Sequence, residues 1–286
     1  MNIIASLHGP SAIGMTKMMC DARTAGGAAI EIFDEPQALL PELISGNVDF
    51  AVLPTSMAAM LYNKGIDYRI AAIMIWGGLY LCGTDSGIRE LSDLRGKTVN
   101  VMAAGSPPES MLRHLLLKAG LAPDRDVLFD RRFPSHASLA SAAEEGLVRL
   151  CILPEPSASH VVKAVSGFKA LIDISEQWRK EEGFLPAITS FLVKGSIADN
   201  DKETVEGMTR VLRDSCDWVK GHPAEAASLA VASGLCKDAA AVELSIPRTG
   251  FDVRSAEESG QAVASFLSAI LKTAPESLGY KIPDYI

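Results

Sequence analysis

Short apolar runs alternate with amphipathic helical stretches from the start of the chain to about residue 194. This alternation is typical of βα units arranged around mainly parallel sheets with helices on their faces. The predicted strands are residues 2–8, 28–33, 48–53, 68–76, 97–103, 126–132, 148–153 and 168–174. Beyond residue 199 the spacing of apolar residues is helical. There we predict helices at residues 199–220, 222–233, 237–245 and 255–272, with no further strand.

Two segments interrupt the alternation. Residues 77–82 follow a predicted strand directly, and residues 187–193 precede the helical C-terminal third. Both are predicted to be extended crossings between lobes. If the first carries the chain out and the second brings it back, residues 86–186 form an inserted lobe, and residues 1–85 with 187–286 form the other. The prediction is a two-lobed α/β protein with a two-stranded hinge.

A segment of the first predicted lobe is echoed in the second. Residues 46–54 and residues 146–154 each begin with glycine, continue as an apolar strand and end in proline. We interpret the glycine as the end of one helix and the proline as the opening of the next. Each lobe is then expected to repeat one unit, although two ordinary βα units can also look alike by chance.

Ligands of open α/β sheets bind beyond the carboxyl ends of the strands, so the strand-to-helix turns are the candidate sites. Four turns, at residues 8–11, 54–56, 104–107 and 154–157, combine proline with glycine or a hydroxyl where a helix is predicted to begin. These turns, the first crossing and His136, which follows Pro134-Ser135 at another strand end, supply the candidate ligand contacts. They are His8, Gly9, Pro10, Ser11, Thr55, Ser56, Gly77, Gly78, Tyr80, Gly105, Ser106, Pro107, His136 and Glu155.

Each candidate also has an ordinary structural explanation. Ser106 and Glu109 have capping-box spacing, so the helix that follows could direct its N–H groups at a polar ligand or could simply be well capped. Tyr80 could stack on a flat ligand or pack in the core. His8 and His136 could be surface or capping residues. The same holds for His160, which lies one helical turn beyond the turn at residues 154–157. Glu155, the only carboxylate predicted in the cleft, could be a helix-dipole partner.

Charge, composition and the motifs that are missing argue against several classes of function. A net charge of -8 without a basic run argues against a nucleic-acid partner. The longest apolar stretch, residues 70–76, is far shorter than the roughly 20 residues of a membrane helix. The five cysteines are scattered without metal-binding or redox spacing and are predicted to be buried thiols. Nucleophile elbow, HExxH, Walker and GxGxxG motifs are absent, so we expect no catalytic residue, cofactor or metal.

Several motifs together resemble a known family. They are Gly9-Pro10-Ser11-Ala12-Ile13-Gly14-Met15, Leu53-Pro54-Thr55-Ser56-Met57-Ala58-Ala59, Leu94-Arg95-Gly96-Lys97-Thr98, Leu153-Pro154-Glu155-Pro156, Pro223-Ala224-Glu225-Ala226-Ala227 and Ile246-Pro247-Arg248. Their order and spacing resemble the substrate-binding proteins of ABC transporters in the nitrate, sulfonate and thiamine-pyrimidine-precursor group. The resemblance covers nearly the whole chain and implies the type II periplasmic-binding fold.

The resemblance further implies a monomeric receptor, periplasmic or anchored as a lipoprotein, that closes on a small molecule and hands it to an ABC permease. Met1 leads directly into the first predicted strand, so we expect the export segment to have been removed. Relatives in the wider group include a pyrimidine-precursor synthase and menaquinone-route dehydratases, which keeps an enzyme as the alternative. The cysteine-rich run of the synthase is absent. Sensor domains of LysR-type regulators share the fold, but this chain lacks their DNA-binding helices.

Overall fold

The computed structural model describes residues 2–20, 27–34 and 36–286, which form two β-sheets flanked by helices. Residues 1, 21–26 and 35 of the predicted first lobe lie outside the described residues. The strands are β1 (Ile3–Leu7), β2 (Ala29–Phe33), β3 (Phe50–Pro54), β4 (Tyr68–Ile75), β5 (Leu79–Gly83), β6 (Thr98–Asn100), β7 (Leu128–Asp130), β8 (Leu150–Pro154), β9 (Lys169–Asp173), β10 (Thr189–Lys194) and β11 (Phe251–Ser255).

Helices fill most of the connections. They are α1 (Pro10–Gly14), α2 (Thr16–Cys20), α3 (Pro36–Ile44), α4 (Thr55–Asn63), α5 (Pro107–Lys118), α6 (His136–Glu144), α7 (Ser157–Ala164), α8 (Ile174–Glu182), α9 (Gly195–Asn200), α10 (Lys202–Gly221), α11 (Pro223–Ala232), α12 (Ala239–Thr249) and α13 (Ala256–Thr273), with 3₁₀ helices at Leu91–Leu94 and Pro275–Leu278. None of the helices in the described part combines the length and the apolar character that crossing a membrane requires.

Most strands of each sheet point the same way, which confirms the predicted fold class. The first sheet has the order β11-β4-β10-β3-β1-β2, and only β10 and β11 run against the other four strands. The second sheet has the order β7-β6-β8-β5-β9, and only β5 is reversed.

The chain passes between the sheets at the two predicted crossings. It leaves the first sheet after β4, enters the second at β5, and returns between α8 and β10. Sheet pairing places Leu79–Gly83 in the second sheet, although the predicted first lobe extends to residue 85. The exact lobe boundaries stay a prediction.

The helical C-terminal third contains one strand that the sequence prediction missed. β11 pairs antiparallel with β4, so the expectation of no further strand was wrong. Its buried residues, Phe251 and Val253, alternate with less buried neighbours. This two-residue period lasts for only five residues between two helices, which is too short to stand out from helical spacing.

The repeated segments adopt matching conformations at their glycines. Gly46 and Gly146 follow α3 and α6 with φ of 67° and 75°, as expected of helix-terminating glycines. The prediction for the prolines holds only for Pro54, which is both the last residue of β3 and the N-cap of α4. It is wrong for Pro154, which ends β8 three residues before α7 begins at Ser157. A proline ring also suits the extended backbone at a strand end, where its missing N–H need not be paired.

The core differs on the two faces of the sheets. On the face covered by α13, one apolar cluster runs from Leu53 in the first sheet to Ile152 in the second and includes Trp178 and Phe266. On the opposite face the apolar residues form separate clusters, one under each sheet. The two sheets are therefore joined by a continuous core on one face only.

The prediction of buried thiols is confirmed for Cys82, Cys151 and Cys216. It is wrong for Cys20, which is exposed, and Cys236 is half-buried. Burial raises the pKa of each of the three buried thiols. They are therefore packing residues held in the unreactive thiol form.

Candidate ligand-binding site

The first predicted turn leads from β1 into α1. Gly9 has φ of 125°, a conformation suited to glycine, and Pro10 is the first helical residue. Ser11 is buried, and its Oγ lies 3.0 Å from the Ser6 Oγ. His8 Nε2 lies 3.3 Å from the Asp34 carboxylate. The polar groups of this turn are thus held by neighbours in the first sheet.

The second turn joins β3 to α4 and contacts the second crossing. The Thr55 N–H donates to the Ile188 carbonyl at 2.9 Å, and Thr55 Oγ1 lies 2.8 Å from Ser190 Oγ. Thr55 and Ser56 are both buried. The start of α4 is therefore attached to the segment through which the chain returns to the first sheet.

The third turn begins α5 at Pro107 as predicted, but its capping box was wrong. The Ser106 hydroxyl makes no capping bond and is buried without a partner among the described residues. Glu109 instead accepts from the Gly105 N–H at 2.6 Å and pairs with Arg113 and Arg131 at 2.7 and 2.8 Å. Two guanidinium groups hold the Glu109 carboxylate away from its capping position.

These contacts also shift the Glu109 ionisation. Burial acts to raise the pKa of Glu109, but hydrogen bonds from Arg131, Arg113 and the Gly105 N–H outweigh it and lower the pKa. The Glu109 carboxylate is therefore ionised and paired beside the orphaned Ser106 hydroxyl.

The two helix starts near the end of the second sheet contact each other. His136 is the first residue of α6, and its Nδ1 lies 3.1 Å from Ser157 Oγ at the start of α7. This contact brings the predicted His136 side chain beside the turn that carries Glu155.

Glu155 lies against the first crossing. Its N–H donates to the Gly78 carbonyl at 2.8 Å, and strand pairing aligns Tyr80 with Leu153. Gly78 has φ of 81°, and a Cβ there would lie 2.9 Å from the Thr249 Cα. Only glycine fits where the end of α12 passes this close to the crossing.

An ion pair links Glu155 to a residue that the sequence analysis did not select. Arg248 Nε, from α12, lies 2.8 Å from the fully buried Glu155 carboxylate. Ser159 supplies that carboxylate with its N–H at 2.9 Å and its hydroxyl at 3.0 Å. Burial raises the pKa of Glu155, while the Ser159 bonds and the Arg248 charge oppose the shift.

The Arg248 guanidinium also covers Tyr80. Its Cζ lies 4.2 Å from the ring centroid, a cation–π contact, and the Tyr80 hydroxyl donates to the Arg248 carbonyl at 3.3 Å. Burial, helped by the nearby Asp173 charge, raises the pKa of Tyr80 to about 12. The phenol therefore stays protonated as a hydrogen-bond donor.

A cavity of about 340 Å³ opens beside this pair, and we call it the crossing cavity. Its volume is in the range of small-molecule sites. Its walls come from the first crossing, the start of α8 and the connection from α12 to β11, and they include Trp76, Gly77, Gly78, Tyr80, Asp173, Ser175, Glu176, Arg248, Gly250 and Arg254. Three predicted residues, Gly77, Gly78 and Tyr80, line it directly, and Glu155 adjoins it.

Sequence reasoning missed Arg248, Asp173 and Ser175. Arg248 and Glu155 are far apart in the chain, and an ion pair between distant residues leaves no spacing signal. The motif Ile246-Pro247-Arg248 contributed to the family resemblance but was not predicted to reach the site. Asp173 and Ser175 looked like a strand end and a helix start, which they also are.

The sequence matches the model of the NMT1-like family over residues 14–233. The chain belongs to the NMT1-like family. No curated protein matches it in sequence. Solved structures agree with the predicted group of ABC-transporter binding proteins and with its α/β fold.

Among those structures, an ABC transporter protein from Parabacteroides distasonis is 25% identical to this NMT1-like chain, with a TM-score of 0.85 over 99% of this chain and 96% of the other. The periplasmic aliphatic sulphonate binding protein SsuA from Escherichia coli, at 16% identity, has a TM-score of 0.74 over 99% and 92%. The periplasmic nitrate-binding protein NrtA from Synechocystis PCC 6803, at 11% identity, has a TM-score of 0.69 over 97% and 84%.

Proposed function

We propose that the protein is the solute-binding receptor of an ABC-type importer. Its ligand would be a small polar or heterocyclic molecule held between the two sheets. The observation that carries this proposal is the similarity over 99% of the chain to an ABC transporter protein, together with membership of the NMT1-like family. The sulphonate- and nitrate-binding proteins of the same fold support a small-molecule ligand.

The arrangement around the crossings suits a clamp. Arg248, on the side of the first sheet, and Glu155, on the side of the second, already meet beside the first crossing. A ligand that contacted both sides would favour the closed arrangement of residues 86–186 against the rest of the chain. The turns carrying His8, Ser11, Thr55, Ser106 and His136 are proposed to supply further contacts.

As a receptor of this kind, the protein is proposed to act outside the cytoplasm, as a periplasmic protein or a lipoprotein, with a membrane permease as its partner. A test is to identify permease and ATPase genes near its own gene, to reconstitute their products, and to measure ATP hydrolysis with and without the receptor and its solute. We expect stimulation only when both are present. A gene neighbourhood without transport genes would weaken the assignment.

The central test is a thermal-shift screen of transportable solutes, combined with native mass spectrometry of protein purified from its own host. A ligand at 100 times its Kd should stabilise the folded state by about 2.7 kcal/mol and raise the Tm clearly. Replacing Tyr80 with Ala should reduce the shift if the ring contacts the ligand, and Lys202→Ala should leave it unchanged. A bound compound recovered chemically altered would contradict the receptor and favour an enzyme.

A further inference from the structure

The crossing cavity contains a cation and a carboxylate that each retain unused bonding capacity. Arg248 contacts Glu155 through Nε, and among the described residues no oxygen accepts a hydrogen bond from its two terminal nitrogens. Its side chain is one-third exposed, and the guanidinium Cζ lies 4.2 Å from the centroid of the Tyr80 ring. The Tyr80 ring and Glu155 thus fix the orientation of the guanidinium and leave its terminal N–H groups available to a carboxylate.

Asp173 presents the opposite charge on the other side of the crossing. One of its oxygens, Oδ1, caps α8 by accepting from the N–H groups of Ser175 and Glu176 at 3.0 Å each. Within the described part of the chain, the second oxygen accepts no hydrogen bond and Asp173 forms no ion pair. Asp173 and Arg248 line the same cavity without bonding to each other.

A third polar group in the wall lacks a partner. Ser175 lines the cavity, is only 3% exposed, and its Oγ has no hydrogen-bond partner among the described residues. A buried hydroxyl without a partner costs free energy, so such groups are usually satisfied by a ligand or by water. This group points to an occupant independently of the charged residues.

The other charges in the wall neutralise each other. Arg254 pairs with Asp252 at 2.6 Å while its guanidinium lies over Trp76, and Glu176 pairs with Arg179 at 2.8 Å. Arg248 is itself paired with Glu155 through Nε, but its terminal N–H groups remain available, and Asp173 has no ion pair within the described part of the chain. These two groups therefore set which ligand charges the cavity can bind. Asp173 would repel a simple anion bound in this cavity, and Arg248 would repel a simple cation.

We propose that the crossing cavity binds a small zwitterion, whose carboxylate pairs with Arg248 and whose protonated amine pairs with Asp173. This rests on the proposed receptor function and specifies the ligand class. Because Arg248 is on the side of the first sheet and Asp173 belongs to the second, such a ligand joins the two sides through opposite ends. The volume of about 340 Å³ fits a molecule the size of a small amino acid.

The test measures binding of small α- and ω-amino acids by calorimetry, each beside its desamino acid and its carboxamide. We expect the best amino acid to bind at least about 30-fold more tightly than either analogue, because the desamino acid leaves Asp173 without a cation and the carboxamide leaves the terminal N–H groups of Arg248 without a carboxylate. A neutral heterocycle or a simple anion that binds more tightly than every zwitterion, in the panel or from the host, would overturn the proposal while leaving the receptor function intact.

Two conservative variants test separately the binding of the ligand's amine and of its carboxylate. Asp173→Asn retains a good helix cap but removes the charge, so it should weaken the amino acid at least about 30-fold and its desamino acid less than about 3-fold. Arg248→Lys retains a cation beside Glu155 but loses the planar fork, so it should weaken the amino acid and the desamino acid but not the carboxamide. Lys202→Ala, far more exposed at 89%, is the control.

Equal losses for all three compounds in both variants would indicate a merely structural role and overturn the assignment. The melting temperature of each ligand-free variant shows whether it is folded. If no solute, from the panel or from host extract, binds the wild-type protein, the receptor function itself fails and the zwitterion site fails with it.

Discussion

Helices α8 and α13 meet through aromatic rings, whereas α7 and α12 meet through charged side chains. Both contacts join elements of the second sheet to elements of the first, on opposite faces of the molecule. On the α13 side, Trp178 is fully buried with its ring centroid 5.2 Å from Phe266 and 4.7 Å from His114. This contact belongs to the apolar cluster that runs under both sheets.

On the α12 side the contact is ionic. Asp238, the N-cap residue of α12, lies 3.1 Å from His160 Nδ1 and 3.0 Å from Lys163 Nζ, both on α7. The Arg248–Glu155 pair lies at the other end of α12. Beneath these charges the apolar clusters of the two sheets are separate.

The difference between the α8–α13 contact and the α7–α12 contact affects how the two sheets can move relative to each other. Separating an apolar contact exposes hydrophobic surface to water, whereas charged groups, both the partly exposed ones and the buried Glu155, recover hydration when they part. We therefore expect the α8–α13 contact to act as the pivot and the α7–α12 contact to open and close.

Replacing Trp178 with Ala should destabilise the protein by about 3–5 kcal/mol, because it leaves a large cavity in the core shared by both sheets. Urea denaturation measures the change. Trp178→Phe is the matched control and should cost much less, since the indole N–H has no partner among the described residues and the ring remains. A loss below about 1 kcal/mol for the Ala variant would show that this contact is not the main attachment.

Replacing Arg248 with Met should cost about 2–3 kcal/mol, because the Glu155 carboxylate stays buried without its cation. Adding Glu155→Gln should recover much of that loss, and a double-mutant cycle measures the coupling. Independent, additive losses would show that the pair does not join the two sides.

The stability of the Arg248→Met variant should depend on pH in a characteristic way. Burial raises the pKa of Glu155, so the folded protein keeps this proton to a higher pH than the unfolded chain does. Its contribution to stability is therefore complete below the unfolded pKa of about 4.3 and is lost as the pH rises through the folded value. Without Arg248 the folded pKa should rise further, so the loss should become larger and extend to higher pH, and denaturation between pH 4 and pH 8 measures it. A stability that rose with pH in this variant relative to wild type would contradict it.

Asp238→Asn should cost about 1 kcal/mol, because the carboxylate is partly exposed and water screens its pairs. Burial acts to raise the pKa of Asp238, but bonds from Lys163, the Ala241 N–H and His160 lower it to about 2. Its stabilisation is present above the unfolded pKa of about 3.9 and is lost as the pH falls towards 2. The difference in stability between wild type and variant should disappear over that range, whereas a constant difference would indicate a cap effect alone.

Lys202→Ala should change stability by less than about 0.5 kcal/mol. The side chain is 89% exposed, and its pairing with Glu206 at 3.6 Å lies on the surface of α10. A larger loss of stability in thermal denaturation would show that exposed ion pairs contribute more to the stability of this protein than we expect.

Local patterns in the sequence determined much of the fold. The apolar runs placed eight strands, β1–β4 and β6–β9, whereas β5 and β10 were predicted only as extended crossings and β11 was missed. The glycines at residues 46 and 146 marked helix ends. Burial period and backbone conformation are properties of neighbouring residues, which is why these features could be predicted. The two interruptions of the alternation marked the crossings. The same reasoning selected Gly78, Tyr80 and Glu155, which meet at the first crossing.

Contacts between distant parts of the chain were decided only by the tertiary structure. β11 forms because the edge of β4 offers hydrogen-bond partners to its backbone. The segment is too short for its alternating pattern to be recognised as a strand in the sequence. Glu109 does not form the predicted capping box, because its carboxylate pairs with Arg113 on the same helix and with Arg131 from beyond β7. Arg248 meets Glu155, and shares a cavity with Asp173, because the crossings bring α12 against the second sheet. Such pairings depend on where whole elements pack, and no local pattern encodes that position.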